Sequence, residues 1–271
     1  MIKTTFGLIG LLILTGCSQL NNFKNPHIRT ENAELVRIAK FNEMKESVCE
    51  LVYVGEIADT ARIDTLKTQD YFKFDFKTIL KNKRFPIKIY VDVNQRLAYD
   101  LEKLSIPPVP ILLDSINILF DSIENKKQLE LWENRQRNYV EAIPVSIINL
   151  GKSTIWLVQQ DLKIQMIQEA KDINGNWKPI EFWNYSRCGL SYGNLILRSN
   201  EIAIFKILRY SGDFQTEIRL KIKSGKYTYY SDPFNGSVNQ SQFEIPKELF
   251  NDRELTKVER EKIIETMFLN D

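Results

Sequence analysis

The residue types that most often carry chemistry are scarce in this chain: one histidine, His27, and three cysteines, Cys17, Cys49 and Cys188, in 271 residues. A Ser-His-Asp or Cys-His pair needs an imidazole held rigidly within hydrogen-bond reach of its nucleophile. His27 stands in a short polar stretch with a proline, from Ser18 to Thr30, that reads as a tether and cannot hold a ring in place. Cys188 has small neighbours (Gly189, Ser191) but no base beside it. A structural zinc site needs several His or Cys ligands, and phosphate cradles of the GxGxxG or GxxxxGK[ST] type do not occur. No catalytic residue, no metal and no cofactor is therefore expected. Asp172-Ile173-Asn174-Gly175 has the opening residues of a calcium loop, but position 183 is Trp where the closing Glu would stand. Asn-Gly between β-rich runs is instead a hairpin signal.

Two weaker chemistries stay open. Carboxylates are plentiful, and a glycosidase-type pair needs only two of them converging from different elements. The aromatic residues Trp177, Trp183, Tyr185 and Tyr192, with Phe182 among them, could stack on sugar faces if exposed, or fill a core if buried.

Cys17 has its own context. Lys3 is followed by an apolar run from Phe6 to Leu14, then Thr15-Gly16-Cys17. The arrangement has the charged start, apolar middle and small residues of a secretory signal, and Leu14-Thr15-Gly16-Cys17 resembles the signal box of bacterial lipoproteins. The resemblance covers residues 1–17 and implies that Cys17 becomes the acylated first residue of the mature chain. A membrane span is disfavoured, since one needs about 20 apolar residues. The sequence downstream of Cys17, Ser18-Gln19-Leu20-Asn21-Asn22, lacks the acidic stretch common in surface-displayed lipoproteins of Bacteroidota. The expected location is the periplasmic side of the outer membrane.

Asp59-Thr60-Ala61, Asp64-Thr65-Leu66, Asp114-Ser115-Ile116 and Asp121-Ser122-Ile123 are similar to the O-glycosylation motif of exported Bacteroidota proteins, which implies modification at Thr60, Thr65, Ser115 and Ser122. The same dipeptides also begin turns and cap helices. Residues 169–181 (Glu169-Ala170-Lys171-Asp172 and Asn176 to Glu181) are diffusely similar to β-domains of lipoproteins from that group. In an oxidising envelope the two remaining cysteines, Cys49 and Cys188, are expected to form a disulfide between the two halves of the chain.

Composition narrows the partners. The formal net charge is +2, and it falls to +1 once residues 1–16, with Lys3, are removed. There is no basic field for nucleic acid. Isoleucine occurs 32 times and alanine 8 times, a bias toward strands.

The elements that must position any site follow from periodicity. Leu35, Ile38, Phe41, Met44 and Val48 recur at helical spacing and predict a helix over 31–47. Strands are predicted at 48–54, 71–76 and 87–93. Pro107, Pro108 and Pro110 mark a rigid joint. From Ala142 onward short β-rich segments follow one another between turn residues, as in an antiparallel sandwich. Asn251 and Glu254 form a capping-box pattern before a C-terminal helix carrying Leu255, Val258, Ile263, Ile264, Met267 and Phe268.

The expected fold class is α+β: signal peptide 1–16, tether 17–30, an N-terminal α/β-type region 31–140, an immunoglobulin-like or fibronectin-like β-sandwich 141–245 and a helix 246–271. The expected function is a non-enzymatic, lipid-anchored envelope protein that binds or assembles, its partner an envelope protein or a glycan. A glycan-binding or glycan-cleaving protein built on the aromatic cluster 177–192 is the alternative.

Overall fold

The computed structural model describes residues 26–29, 36–62, 71–73, 84–101, 130, 138–186, 188–250 and 256–270. Among these residues seven strands precede the long second half: β1 (His27–Arg29), β2 (Lys45–Glu46), β3 (Glu50–Glu56), β4 (Thr60–Arg62), β5 (Phe72–Lys73), β6 (Ile87–Val91) and β7 (Leu97–Asp100). Ten follow: β8 (Tyr139–Asn149), β9 (Ile155–Gln160), β10 (Lys163–Lys171), β11 (Trp177–Pro179), β12 (Glu181–Phe182), β13 (Tyr192–Leu197), β14 (Glu201–Leu208), β15 (Phe214–Ser224), β16 (Tyr227–Tyr230) and β17 (Phe234–Val238).

Most of these strands form two antiparallel sheets. The first runs β3-β14-β8-β6, with β7 also paired to β8. The second runs β16-β15-β10-β9-β13-β5, with β11 on β10 and β17 on β15. The period-2 pattern of strands explains how they pack. In β8, Ile143, Val145 and Ile147 face the second sheet, and Ala203, Phe205 and Ile207 of β14 join them. From the other sheet come Leu157, Ile164, Met166, Leu195, Leu220 and Ile222. The intervening residues Val140, Ala142, Ile148, Ile202 and Ile204 bury against a second cluster with Val48, Val52, Leu97 and Tyr99. Buried on both faces, β14 carries no exposed residue. A bulge opposite Ile204 and Phe205 shifts the alternation in β3, so that Leu51 and Val54, three apart, both face the inter-sheet core.

Three expectations are corrected. First, residues 36–47 are not helical: Arg37 and Lys40 make isolated bridges to Val140 and Ser211, and β2 pairs in parallel with β12. The apolar residues of that segment separate, Ile38 standing 59% exposed while Met44 is buried at 2%. Second, strands on both sides of residue 140 share one sheet, since β3 pairs with β14 and β6 and β7 with β8. The change of texture near Ala142 therefore marks the longer strands and not a break between cores. No α-helix occurs among the described residues from Pro26 to Leu101. Third, the C-terminal helix spans Lys257–Met267 and is capped by Thr256 with Glu259, whose side chains and backbone amides bond reciprocally. The Asn251 pattern lies outside the described residues, as does the proline joint. Only the far end of the helix docks: Val258 is 72% exposed, whereas Met267, Phe268 and Leu269 close over Trp183.

The Asn174-Gly175 hairpin forms as expected. Gly175 takes φ +78°, and the Asp172 carboxylate accepts from the amides of Asn174 and Asn176, both at 2.9 Å. The Lys178 ammonium at 2.9 Å, and then these bonds, hold the Asp172 carboxyl below its ordinary range.

Candidate functional site

At one end of the inter-sheet layer the two sheets part and leave a cleft of about 290 Å³. Three neighbouring strands of the first sheet bring charge to it. Glu141 lies in β8, Arg209 follows β14 and Arg96 precedes β7, so the strand pairings put the two cations beside one carboxylate. Arg209 Nη1 donates to Glu141 Oε1 at 2.8 Å and to the Val93 carbonyl at 3.3 Å. Arg96 Nε lies 3.6 Å from the same Glu141 oxygen. Glu141 shares the strand face of Ile143 and is 3% exposed. A carboxylate this buried requires cationic partners, because the desolvation of an unpaired one costs several kcal/mol. Across the gap the second sheet supplies Gln168 and Ile218, and β17 adds Phe234 and the polar rim of Asn235 and Ser237.

Behind Gln168 and Tyr210 is a second buried carboxyl. Glu181 Oε1 accepts from the Tyr210 hydroxyl at 2.8 Å and from Gln168 Nε2 at 3.0 Å, while Oε2 accepts from the Gln168 amide at 2.8 Å. Gln168 Nε2 also donates to the Leu208 carbonyl at 2.9 Å. Burial raises the Glu181 pKa to about 7, against the opposing effect of these bonds and one to Ser47. Burial, then the neighbouring carboxylate, raise Tyr210 well above the usual phenol range. Glu181 itself does not line the cleft; Gln168 and Tyr210 do.

The expected aromatic platform does not assemble. Trp183 is 3% exposed, its indole donates to Gln160 Oε1 at 3.1 Å, and it packs with Ile167 and the helix end. Tyr185 rests against that cluster, and the Tyr192 hydroxyl donates to the Ser186 carbonyl at 2.7 Å. Trp177 sits on the outer face of the second sheet, with the Arg219 guanidinium 4.3 Å from its ring and the Lys171 ammonium 5.3 Å away. Burial of apolar area draws Trp183 inward, and cations cover Trp177, so no row of coplanar rings remains.

The expected disulfide is not formed. Cys49 and Cys188 are both free thiols, the first buried and the second exposed. Cys49 belongs to the inter-sheet core, and Cys188 caps an exposed turn, Gly189–Ser191. Thr60 is exposed in β4, paired in parallel with β1. Cys17, Thr65, Ser115 and Ser122 lie outside the described residues.

Arg96, Glu141, Gln168, Glu181, Arg209 and Tyr210 were not singled out by sequence. The usable signal was a carboxylate inside an apolar strand, as in Val140-Glu141-Ala142 and Ile180-Glu181-Phe182, which requires a buried partner. Among the described residues no cluster of three or more His, Cys, Asp or Glu could hold a metal ion, and no helix is long and apolar enough to cross a membrane. No protein-family profile, curated protein or solved structure matches the chain.

Proposed function

We propose that the chain is a lipid-anchored protein of a bacterial envelope, tied to the membrane through Cys17, whose two-sheet body holds a ligand without transforming it. The supporting observation is the cleft. Its charged groups are set by strand register and stand beside the partly exposed Ile38, Val93 and Phe234, while Glu181, whose pKa burial raises to about 7, sits behind Gln168 and Tyr210 and does not line it. Such a lining suits recognition, in which a few placed polar groups orient a ligand over apolar surface. The immunoglobulin-like or fibronectin-like reading of the sheets, and the periplasmic face of the outer membrane as location, belong to the same proposal. The stacking alternative loses its support with the burial of Trp183.

Two measurements test it. Palmitate labelling should be lost in Cys17→Ser; unchanged labelling overturns the anchor. Affinity purification of the lipidated protein from its own envelope should recover a partner or ligand that Gln215→Trp, at the cleft rim, no longer recovers. Recovery indifferent to that substitution would mean the cleft is not the binding site.

A further inference from the structure

We propose that the cleft takes a small amphipathic carboxylate, its carboxyl group held by Arg96 and Arg209 and its apolar body lying against Ile38, Val93 and Phe234. The inference rests on the binding function argued above and names its ligand class.

Charge is the first argument. Among the described lining residues, Arg96 and Arg209 are the cations and Glu141 the carboxylate, so the site carries one positive charge in excess. That excess matches a monoanion; a dianion would overshoot it and meet Glu141 at close range.

Unused donors are the second. A guanidinium has five N–H groups in a planar fork. Arg209 commits Nη1 to Glu141 and Val93, and among the described residues nothing accepts from its Nε or Nη2. Arg96 meets Glu141 at 3.6 Å, beyond hydrogen-bond length, and makes no hydrogen bond among the described residues. With side chains 69% and 41% exposed, Arg96 and Arg209 still reach solvent. Two forks with positions open among the described residues favour bidentate capture of a carboxylate.

The floor supplies the rest. Ile38, 59% exposed, and the half-buried Val93 and Phe234 are the apolar lining side chains with surface left to offer, while Ile143, Leu208 and Ile218 beneath them are closed off at 2% exposure or less. An apolar group laid on this surface is favoured by about 25 cal/mol per Å² buried. At about 290 Å³ the space is at the small end of ligand pockets, room for roughly ten non-hydrogen atoms.

Calorimetric titration of the purified full-length chain with 3-phenylpropionate and with 3-phenylpropan-1-ol separates the charged contact from the apolar one. The carboxylate is expected to bind at least tenfold more tightly than the alcohol. Arg96→Gln should weaken the carboxylate severalfold and leave the alcohol unchanged. Glu141→Gln, which removes the competing carboxylate and frees Arg209, should tighten it severalfold. A merely structural role for the cluster would not produce opposite signs, and circular dichroism establishes that each variant is folded. Equal affinity for acid and alcohol, no binding of either, or carboxylate binding that survives Gln215→Trp each overturns the proposal. If the carboxylate fails while envelope capture still depends on Gln215, the ligand class falls and the binding function stands; if both fail, both fall.

Discussion

The Tyr210 hydroxyl donates to Glu181 Oε1 at 2.8 Å, joining the second residue past β14 to a carboxyl on the short strand β12. Two chain segments that pair with different partners are thereby fastened by one acid, and the fastening has a sign with respect to pH.

Folding raises the Glu181 pKa from 4.5 to about 7, so the folded state holds this proton more tightly than the unfolded chain. The contribution is fully present below about pH 4.5 and is lost as pH rises to about 7, amounting to on the order of 3 kcal/mol over that window. Urea titrations of the wild type and Glu181→Gln between pH 4.5 and 7.5 should show a difference in stability that shifts with pH in this direction. A constant difference would mean that folding leaves the Glu181 pKa unshifted.

Gly212 leaves no room for a side chain. A Cβ there would lie 2.1 Å from the Val238 carbonyl carbon and 2.4 Å from the Asn239 nitrogen, both backbone atoms, whereas Gly189 has nothing within 4 Å. Gly212→Ala is expected to cost about 3 kcal/mol or more by forcing β17 away. Gly189→Ala should stay within about 0.5 kcal/mol of wild type. Thermal melts of the pair provide the comparison.

The thiols should react in two stages. Cys188 is exposed and Cys49 is buried, with burial pushing the Cys49 thiol far above its ordinary range. Ellman's reagent is expected to modify one of these two thiols in the native protein, mapped to Cys188, and Cys49 only in denaturant. Modification of neither residue without reductant would restore the disulfide.

Trp183 reports on the C-terminal segment. Its amide donates to the Met267 carbonyl at 2.8 Å, and Met267, Phe268 and Leu269 pack in its cluster. Ending the chain at residue 256 should expose the indole and shift tryptophan emission to the red, with a loss of about 2–4 kcal/mol from the uncovered apolar surface. Emission unchanged from wild type would show that the helix contributes no cover.

Strands were the legible part of this fold, because β-branched runs and period-2 alternation depend on local sequence alone. Ile87–Val91 and Tyr227–Tyr230 illustrate it. The segment 36–47 misleads for a physical reason: apolar residues three and four apart also suit an extended chain that crosses successive elements. Phe41 meets Tyr210 edge to face at 5.5 Å, Met44 joins Trp183, and Val48 enters the cluster of Val52 and Leu97. Partner choice is equally invisible locally. Nothing in Glu50–Glu56 specifies Glu201–Leu208 as its neighbour, and Arg96, Glu141 and Arg209 become a site only through the pairing of β7 and β14 with β8.

The pairing of β3 with β14 also sets the order in which the protein can mature. During synthesis, residues 50–56 emerge early and have no partner until residues 201–208 follow. Sheets closed by such distant segments fold in milliseconds to seconds, and an unpaired β-strand left waiting is a template for aggregation. The nascent chain should therefore depend on a holding chaperone until most of it has been made, and truncations that end before β14 should be recovered as aggregates or bound to that chaperone.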